Sequence, residues 1–271
     1  LGKENVRVVA DEARIRRYLK DGVYVTGRRC DLNFITADTV CPPADLVLFT
    51  VKFGGLRDAI HEARNHVGDR TVLLSALNGI SSEQIIGDVY GKERMLYCVA
   101  QGMDATKAGN QLTYHHMGKL VFGDRVPGRI SKTVRDTAAL LARAQVPFEI
   151  SDQIVHHQWS KFMLNVGLNQ TVAVFEGDYG TVQREGEARQ MMLDAMHEVV
   201  RLSEKEGVFL TEDDVRYWFP VLDSLTPECK PSMRQDMEAK RHTEVELFAG
   251  TVLKLARKHG LETPVNQMLY D

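Results

Sequence analysis

Residues 45–75 read DLVLFTVKFGGLRDAIHEARNHVGDRTVLLS and decide the fold of the first half of the chain. Asp45–Val51 and Thr71–Ser75 are short, β-rich apolar runs, and Leu56–Asn65 between them carries helical periodicity. Continuous apolar runs joined through a helix are the pattern of parallel strands covered on both faces. The same alternation continues outward. Val6–Ala10, Met95–Ala100, Lys119–Gly123 and Val146–Ile150 are the further strand candidates, and Glu12–Lys20, Glu83–Val89 and Arg129–Ala144 the further helices. Gly22, Gly68 and Gly91 fall where helix C-caps are expected. The expectation is a Rossmann-like, doubly wound parallel α/β domain over residues 1–151.

Beyond Ser151 the strand signals stop. Helical spacing runs through Val155–Val174, Glu185–Glu206, Asp213–Leu222 and Met233–His259, so residues 152–271 are expected to form a helical domain. The last segment is bounded by Ser232 as an N-cap with Gln235 three residues on, and by Gly260 and Pro264 at its end. No G-x-G-x-x-G turn precedes the strand at Val6, although a nucleotide-binding domain of this kind opens with one. The chain as given is therefore expected to start just inside the second strand, with the first strand and its glycine turn absent.

Composition limits the function classes. The 271 residues suffice for two ordinary cores, and 44% hydrophobic with 26% charged residues is a globular balance. Thirty-four basic and 37 acidic side chains give a net charge of -3, with no basic stripe, which argues against nucleic acid as a partner. The four cysteines, Cys30, Cys41, Cys98 and Cys229, form no C-x-x-C pair and have no His at zinc spacing, so neither a metal site nor a disulfide framework is expected. Reduced thiols, no signal-peptide core and no apolar run of roughly 18 residues point to a cytoplasmic protein without a membrane partner. Function is then expected to lie in a small-molecule site.

The stretch His156-His157-Gln158-Trp159-Ser160-Lys161-Phe162-Met163-Leu164-Asn165-Val166-Gly167-Leu168-Asn169 offers one. Lys161, Asn165 and Asn169 recur every fourth residue and share a helical stripe, flanked by Phe162, Met163, Leu164, Val166 and Leu168. An ammonium can give a proton, and two carboxamides can bind the hydroxyl and carbonyl groups of a small oxyacid. The wet face of an amphipathic helix is the plainer reading for a lone Lys, but two Asn in register weigh against it, because Asn is a poor helix former. The pairs His115-His116 and His156-His157 lack the i, i+4 spacing of a helical zinc site and are assigned to structure.

With the pattern Trp159-x-Lys161-x-x-x-Asn165-x-x-x-Asn169, the sequence resembles the ketopantoate reductase (2-dehydropantoate 2-reductase) family. Thr50-Val51-Lys52, Leu77-Asn78-Gly79 and Ser232-Met233…Asp236…Arg241-His242-Thr243-Glu244 match family positions in the same order, over nearly the whole chain. The resemblance implies NADP-dependent reduction of a 2-keto acid, ketopantoate to pantoate, in pantothenate and coenzyme A biosynthesis. It implies that Lys161 is the general acid, that Asn165, Asn169 and Ser232 hold the substrate, that Lys52 and Asn78 lie near the nicotinamide, and that Glu244 bridges cofactor and Lys161. The chemistry is consistent: negative charge builds on the ketone oxygen, where an ammonium both stabilises it and delivers a proton.

Two positions depart from the family. Gln170 stands where Pro is usual, and Tyr179 where a further substrate-binding Asn is common, so a different 2-keto acid is the alternative substrate. Asp11 follows the first strand where an acidic residue disfavours a 2′-phosphate, while Arg14, Arg16 and Arg17 could neutralise one, so NAD stays beside NADP. A non-catalytic NADP-binding regulatory protein is the rival from another class, motivated by the absent glycine turn. The Met and Leu residues of the helical half could supply a homodimer interface.

Overall fold

The computed structural model describes residues 1–271, which form two compact units: Leu1–Leu77 with Ser82–Ile154, and Asn78–Ser81 with Val155–Asp271. The first unit contains, in order, β1 (Arg7–Val9), α1 (Glu12–Asp21), β2 (Tyr24–Val25), β3 (Arg28–Arg29), β4 (Asn33–Ile35), β5 (Leu46–Phe49), α2 (Leu56–Ala63), β6 (Val72–Ser75), α3 (Ser82–Tyr90), β7 (Tyr97–Gln101), β8 (Thr106–Ala108), β9 (Gln111–Thr113), β10 (Lys119–Gly123), α4 (Lys132–Arg143) and β11 (Phe148–Ile150). β1 pairs with β4, β5 with β6 and β10 with β11, all parallel, and a parallel bridge from Leu73 to Met95 leads from β6 towards β7. The chain is thus mixed α/β, as its apolar runs indicate.

Helices cover these strands through their apolar faces. Leu56, Ile60 and Ala63 of α2 pack with Phe49 and Leu73, and Val134, Ala138 and Leu141 of α4 with Leu120 and Phe122. Full burial of each large side chain contributes about 1.5–3 kcal/mol, which far exceeds helix propensity as the reason these segments stay helical.

Three sequence expectations for this unit are corrected. The sheet is not wholly parallel, because β10 runs antiparallel to β7. The chain between them returns through the hairpin β8–β9, not through a helix, and a strand that returns without a crossover pairs antiparallel. The small sheet β3-β2-β9-β8 has no counterpart in the apolar pattern of the sequence; its strands are two or three residues long and mostly exposed. Gly68 does not cap a helix. α2 ends at Ala63, and Gly68 instead leaves room for Pro43, whose Cβ would lie 2.7 Å from an added methyl group. Gly22 and Gly91 do have positive φ just past α1 and α3.

The second unit is helical: α5 (Ile154–Val174), α6 (Tyr179–Gln183), α7 (Glu187–Lys205), α8 (Glu212–Asp223), α9 (Ser232–Glu238), α10 (Thr251–His259) and α11 (Pro264–Tyr270). α5 is the central helix, with Phe162, Met163, Val166 and Val172 all at most 1% exposed. Gly167 allows α7 to come close, since a Cβ there would meet the Met192 carbonyl oxygen at 2.7 Å. Gly260 ends α10 in the left-handed conformation.

The expected continuous helix over Met233–His259 is broken. α9 stops at Glu238, Lys240 takes a φ of +52, and a π-turn at Glu246–Gly250 precedes α10. The buried Asp236 carboxylate binds the Arg241 guanidinium at 2.8 Å and the Asp236 carbonyl accepts from the Arg241 amide, so the charged run turns back over α9 and does not extend it. Ser232 is not the N-cap either. Pro231 holds that position at φ -64, ψ 160, and Ser232 is the first helical residue.

Candidate functional site

The second unit brings three of the singled-out side chains together. Lys161 Nζ donates to Asn78 Oδ1 at 3.2 Å, and Asn78 Nδ2 donates to Glu244 Oε2 at 3.3 Å. The two charges fix the orientation of the carboxamide, since only its oxygen can accept from an ammonium and only its NH2 can donate to a carboxylate. Asn78 therefore separates the cation from the anion while bonding both.

Each partner is held by a different local device. Lys161 projects half-buried from α5, most of whose residues are buried, so its stem is packed and its head confined. Asn78 precedes Gly79, whose φ of +83 is costly for any residue with a side chain, and a Cβ there would fall 2.6 Å from Leu247 Cδ1. Glu244 stands two residues before the π-turn. Its carbonyl oxygen accepts from the amides of Leu247 and Phe248 at 3.0 and 3.1 Å.

Along the same stripe of α5, Asn169 Nδ2 donates to Asn165 Oδ1 at 3.1 Å, and the two residues are 6% and 9% exposed. That bond uses one donor and one acceptor, and leaves the Asn165 NH2 to donate and the Asn169 oxygen to accept from a further polar group. α5 is anchored to α8 by Trp218 Nε1, which donates to Ser160 Oγ at 2.9 Å, and by His156 Nε2 with Asp214 Oδ1 at 2.6 Å. Burial raises the Asp214 pKa, but the Thr211 amide and His156 outweigh it and hold the carboxyl below its usual range. Burial pushes the Tyr179 phenol up, so it stays neutral.

Two further singled-out residues lie on other elements. Ser232 is exposed in the first turn of α9. Lys52 belongs to the first unit, exposed just after β5. Phe49 at the end of β5 is paired in register with Ser75 at the end of β6, and Lys52 and Asn78 follow that rung at equal spacing along the sequence. The carboxyl ends of parallel strands are where α/β sheets receive ligands. Asp11 caps α1, accepting from the Arg14 amide at 2.7 Å; that hydrogen bond lowers its pKa, and the carboxylate also pairs with the Arg14 side chain.

The sequence marks Gln170 only as a departure from the family, yet its side chain is fully buried and bonded at both ends. Its oxygen accepts from the Ala249 amide at 2.9 Å, and its NH2 donates to the Val166 carbonyl oxygen at 2.8 Å, with Asn266 Oδ1 at 3.5 Å. Asn266 is in turn bound by Glu198. An uncharged polar residue on the apolar flank of an otherwise buried helix is the one signal the sequence carries for it.

Comparisons with known proteins place the chain in a fold class and then in a family. D-Mandelate dehydrogenase, solved with NADH and anilino(oxo)acetate, shares the fold with a TM-score of 0.87 at 20% identity, over 98% of this chain and 88% of its own. A dimeric ketopantoate reductase from Staphylococcus aureus gives 0.81 at 18% identity, over 98% of this chain and 96% of its own. The fold is therefore the Rossmann-like, helix-extended architecture that these two proteins share. The ketopantoate reductase PanE/ApbA family matches residues 1–126, and its C-terminal counterpart matches residues 153–271. This chain belongs to the ketopantoate reductase family. A 2-dehydropantoate 2-reductase of Aquifex aeolicus is 24% identical over 231 residues, 83% of this chain and 74% of its own.

Among all residues no three His, Cys, Asp or Glu side chains are grouped to hold a metal ion, and no helix is long and apolar enough to cross a membrane.

Proposed function

We propose that this protein reduces a 2-keto acid with a nicotinamide cofactor, converting 2-dehydropantoate to pantoate, with Lys161 as the general acid. The observation that carries the reading is the bond from the Lys161 ammonium to Asn78 and on to Glu244, next to a buried pair of carboxamides on the same helix. NADP is the proposed cofactor, with NAD the alternative because Asp11 follows β1. When bound, the cofactor supplies hydride to the keto carbon. Lys52 and Asn78, beyond the carboxyl ends of paired parallel strands, fit the nicotinamide half of such a molecule. The first unit is the proposed nucleotide-binding part and the second the substrate-binding part, which would also supply the interface of a homodimer.

The chain's own groups account for the remaining steps. Asn165 donates to the substrate carboxylate or hydroxyl and Asn169 accepts from a hydroxyl, while Ser232 adds a further donor. Lys161 points its ammonium at the ketone oxygen and transfers a proton as charge develops there. Asn78 steadies the ammonium without neutralising it, because the Glu244 carboxylate is held one carboxamide away. A second reading, a different 2-keto acid, is favoured by Tyr179, whose half-buried neutral phenol replaces a carboxamide.

The test is oxidation of NADPH and NADH by the full chain with ketopantoate and a panel of other 2-keto acids. Turnover on ketopantoate supports the first reading. Turnover only on another keto acid moves specificity to Tyr179 and Gln170, and cofactor binding without any turnover supports a regulatory protein instead.

A further inference from the structure

We infer that Gln170 is a positioning residue for the reaction, fixing Glu244 by holding open the π-turn that follows it. This rests on the proposed role of Glu244. In an α-helix the Ala249 amide would bond the Val245 carbonyl oxygen, but that oxygen accepts from the Gly250 amide at 3.0 Å, as π-geometry requires. The Ala249 amide, in a buried residue, is left without a helical acceptor, and Gln170 Oε1 fills the vacancy at 2.9 Å.

The other end of the carboxamide fixes its direction. Its NH2 donates to the Val166 carbonyl oxygen, one turn back on α5, so the oxygen has to face the π-turn. Gln170 is adjacent in sequence to Asn169 and therefore ties the helix that bears Lys161, Asn165 and Asn169 to the segment that bears Glu244. The same π-turn contains Leu247, which packs on the Gly79 backbone beside Asn78. One buried amide thus sets the register of the strip facing the Lys161–Asn78–Glu244 chain.

Without that acceptor, the segment gains by relaxing to an α-helix, in which the Ala249 amide bonds Val245. Removing the extra residue of a π-turn rotates the preceding residues by roughly 100° about the helix axis. Glu244 then leaves Asn78, and the ammonium loses its fixed direction.

The experiment compares Gln170→Leu, which removes the acceptor, with Gln170→Glu, which retains one. Each is made in the unaltered chain and in a Glu244→Gln background, and kcat and KM are measured with the best 2-keto acid. Gln170→Leu is expected to lower kcat by between roughly 10- and 100-fold, the cost of an ångström-scale misplacement, with KM little changed. Gln170→Glu is expected to recover most of the loss as the neutral acid that burial favours, its carbonyl oxygen accepting from Ala249 and its hydroxyl donating to Val166, and Gln170→Leu to add little once Glu244 is Gln. An equal loss in both backgrounds overturns the inference. Amide hydrogen exchange over residues 244–250 is read in parallel and needs no activity: a changed protection pattern across the turn in Gln170→Leu, as its amides change acceptors, supports the held-open turn, and a pattern identical to that of the unaltered chain overturns it. Absence of turnover by the unaltered chain would refute the proposed reaction and leave the exchange result to decide the role of Gln170.

Discussion

Replacing Gly79 by Ala tests the geometry beside Asn78 directly. The new Cβ would lie 2.6 Å from Leu247 Cδ1 and 3.0 Å from Cγ, whereas carbon atoms pack at about 3.5–4.0 Å, so the overlap approaches an ångström. Leu247 is 1% exposed, so any shift displaces buried neighbours. Two costs add: about 1–2 kcal/mol for a side chain at φ +83, and about 1–3 kcal/mol for the overpacking. A loss of roughly 2–5 kcal/mol is therefore expected for the second unit. The assay is equilibrium urea unfolding of Gly79→Ala, Leu247→Ala and the double variant. Leu247→Ala removes the atoms that collide, so the double variant should be less destabilised than the sum of the two by about 1–3 kcal/mol. Additivity within about 0.5 kcal/mol would show that Gly79 and Leu247 do not touch as described, and would remove the packing argument for the placement of Asn78.

Lys161→Met should lower kcat on the order of 10²–10⁴-fold while cofactor affinity, measured by fluorescence titration, is retained; an unchanged kcat would eliminate Lys161 as the acid. His66 is 3% exposed, and burial together with the Arg7 cation lowers its pKa below 6.5. The unfolded chain then binds the extra proton first, so stability is present above that value and is lost as pH falls below it. The urea midpoint of the first unit should drop between about pH 8 and about pH 5, and His66→Gln should flatten the drop; equal slopes would refute the assignment. Glu198, 2% exposed, accepts from the Val265 amide, the Asn266 amide and Asn266 Nδ2 at 2.9, 2.9 and 2.7 Å. Glu198→Ala should cost about 1–3 kcal/mol for each buried donor left without an acceptor, and hydrogen exchange should show α11 opening first.

The sequence made the long buried elements legible. Leu46–Phe49, Val72–Ser75 and Lys119–Gly123 are continuous apolar runs, and α5 and α7 have enough turns for their spacing to be unambiguous. What it concealed depends on single groups. The antiparallel return of β10 follows from a hairpin of mostly exposed residues with no apolar period, and the break after Glu238 follows from a buried Asp236 that binds Arg241, a pair that also suits an exposed helix face. For the candidate site, the stripe of Lys161, Asn165 and Asn169 is visible because four-residue spacing stacks side chains along one helix. The bonds of Lys161 to Asn78 and of Asn78 to Glu244 span 83 and 166 residues and have no local periodicity to reveal them. Gln170 is harder still, since its partner is a backbone amide freed by an irregular turn.

The four residues Asn78–Ser81 belong to the helical unit although β6 and α3, on either side of them in the chain, belong to the other. The helical unit is therefore not a separable cassette. A fragment beginning at Val155 would carry Lys161 and Glu244 but not the carboxamide that joins them, and Leu247 would lose the glycine it rests on. Recombining this half with the first half of a relative would import a foreign Asn78–Ser81 segment along with it. Chimeras of that kind should succeed or fail according to the fit of this short segment, more than according to the match at the junction near residue 154.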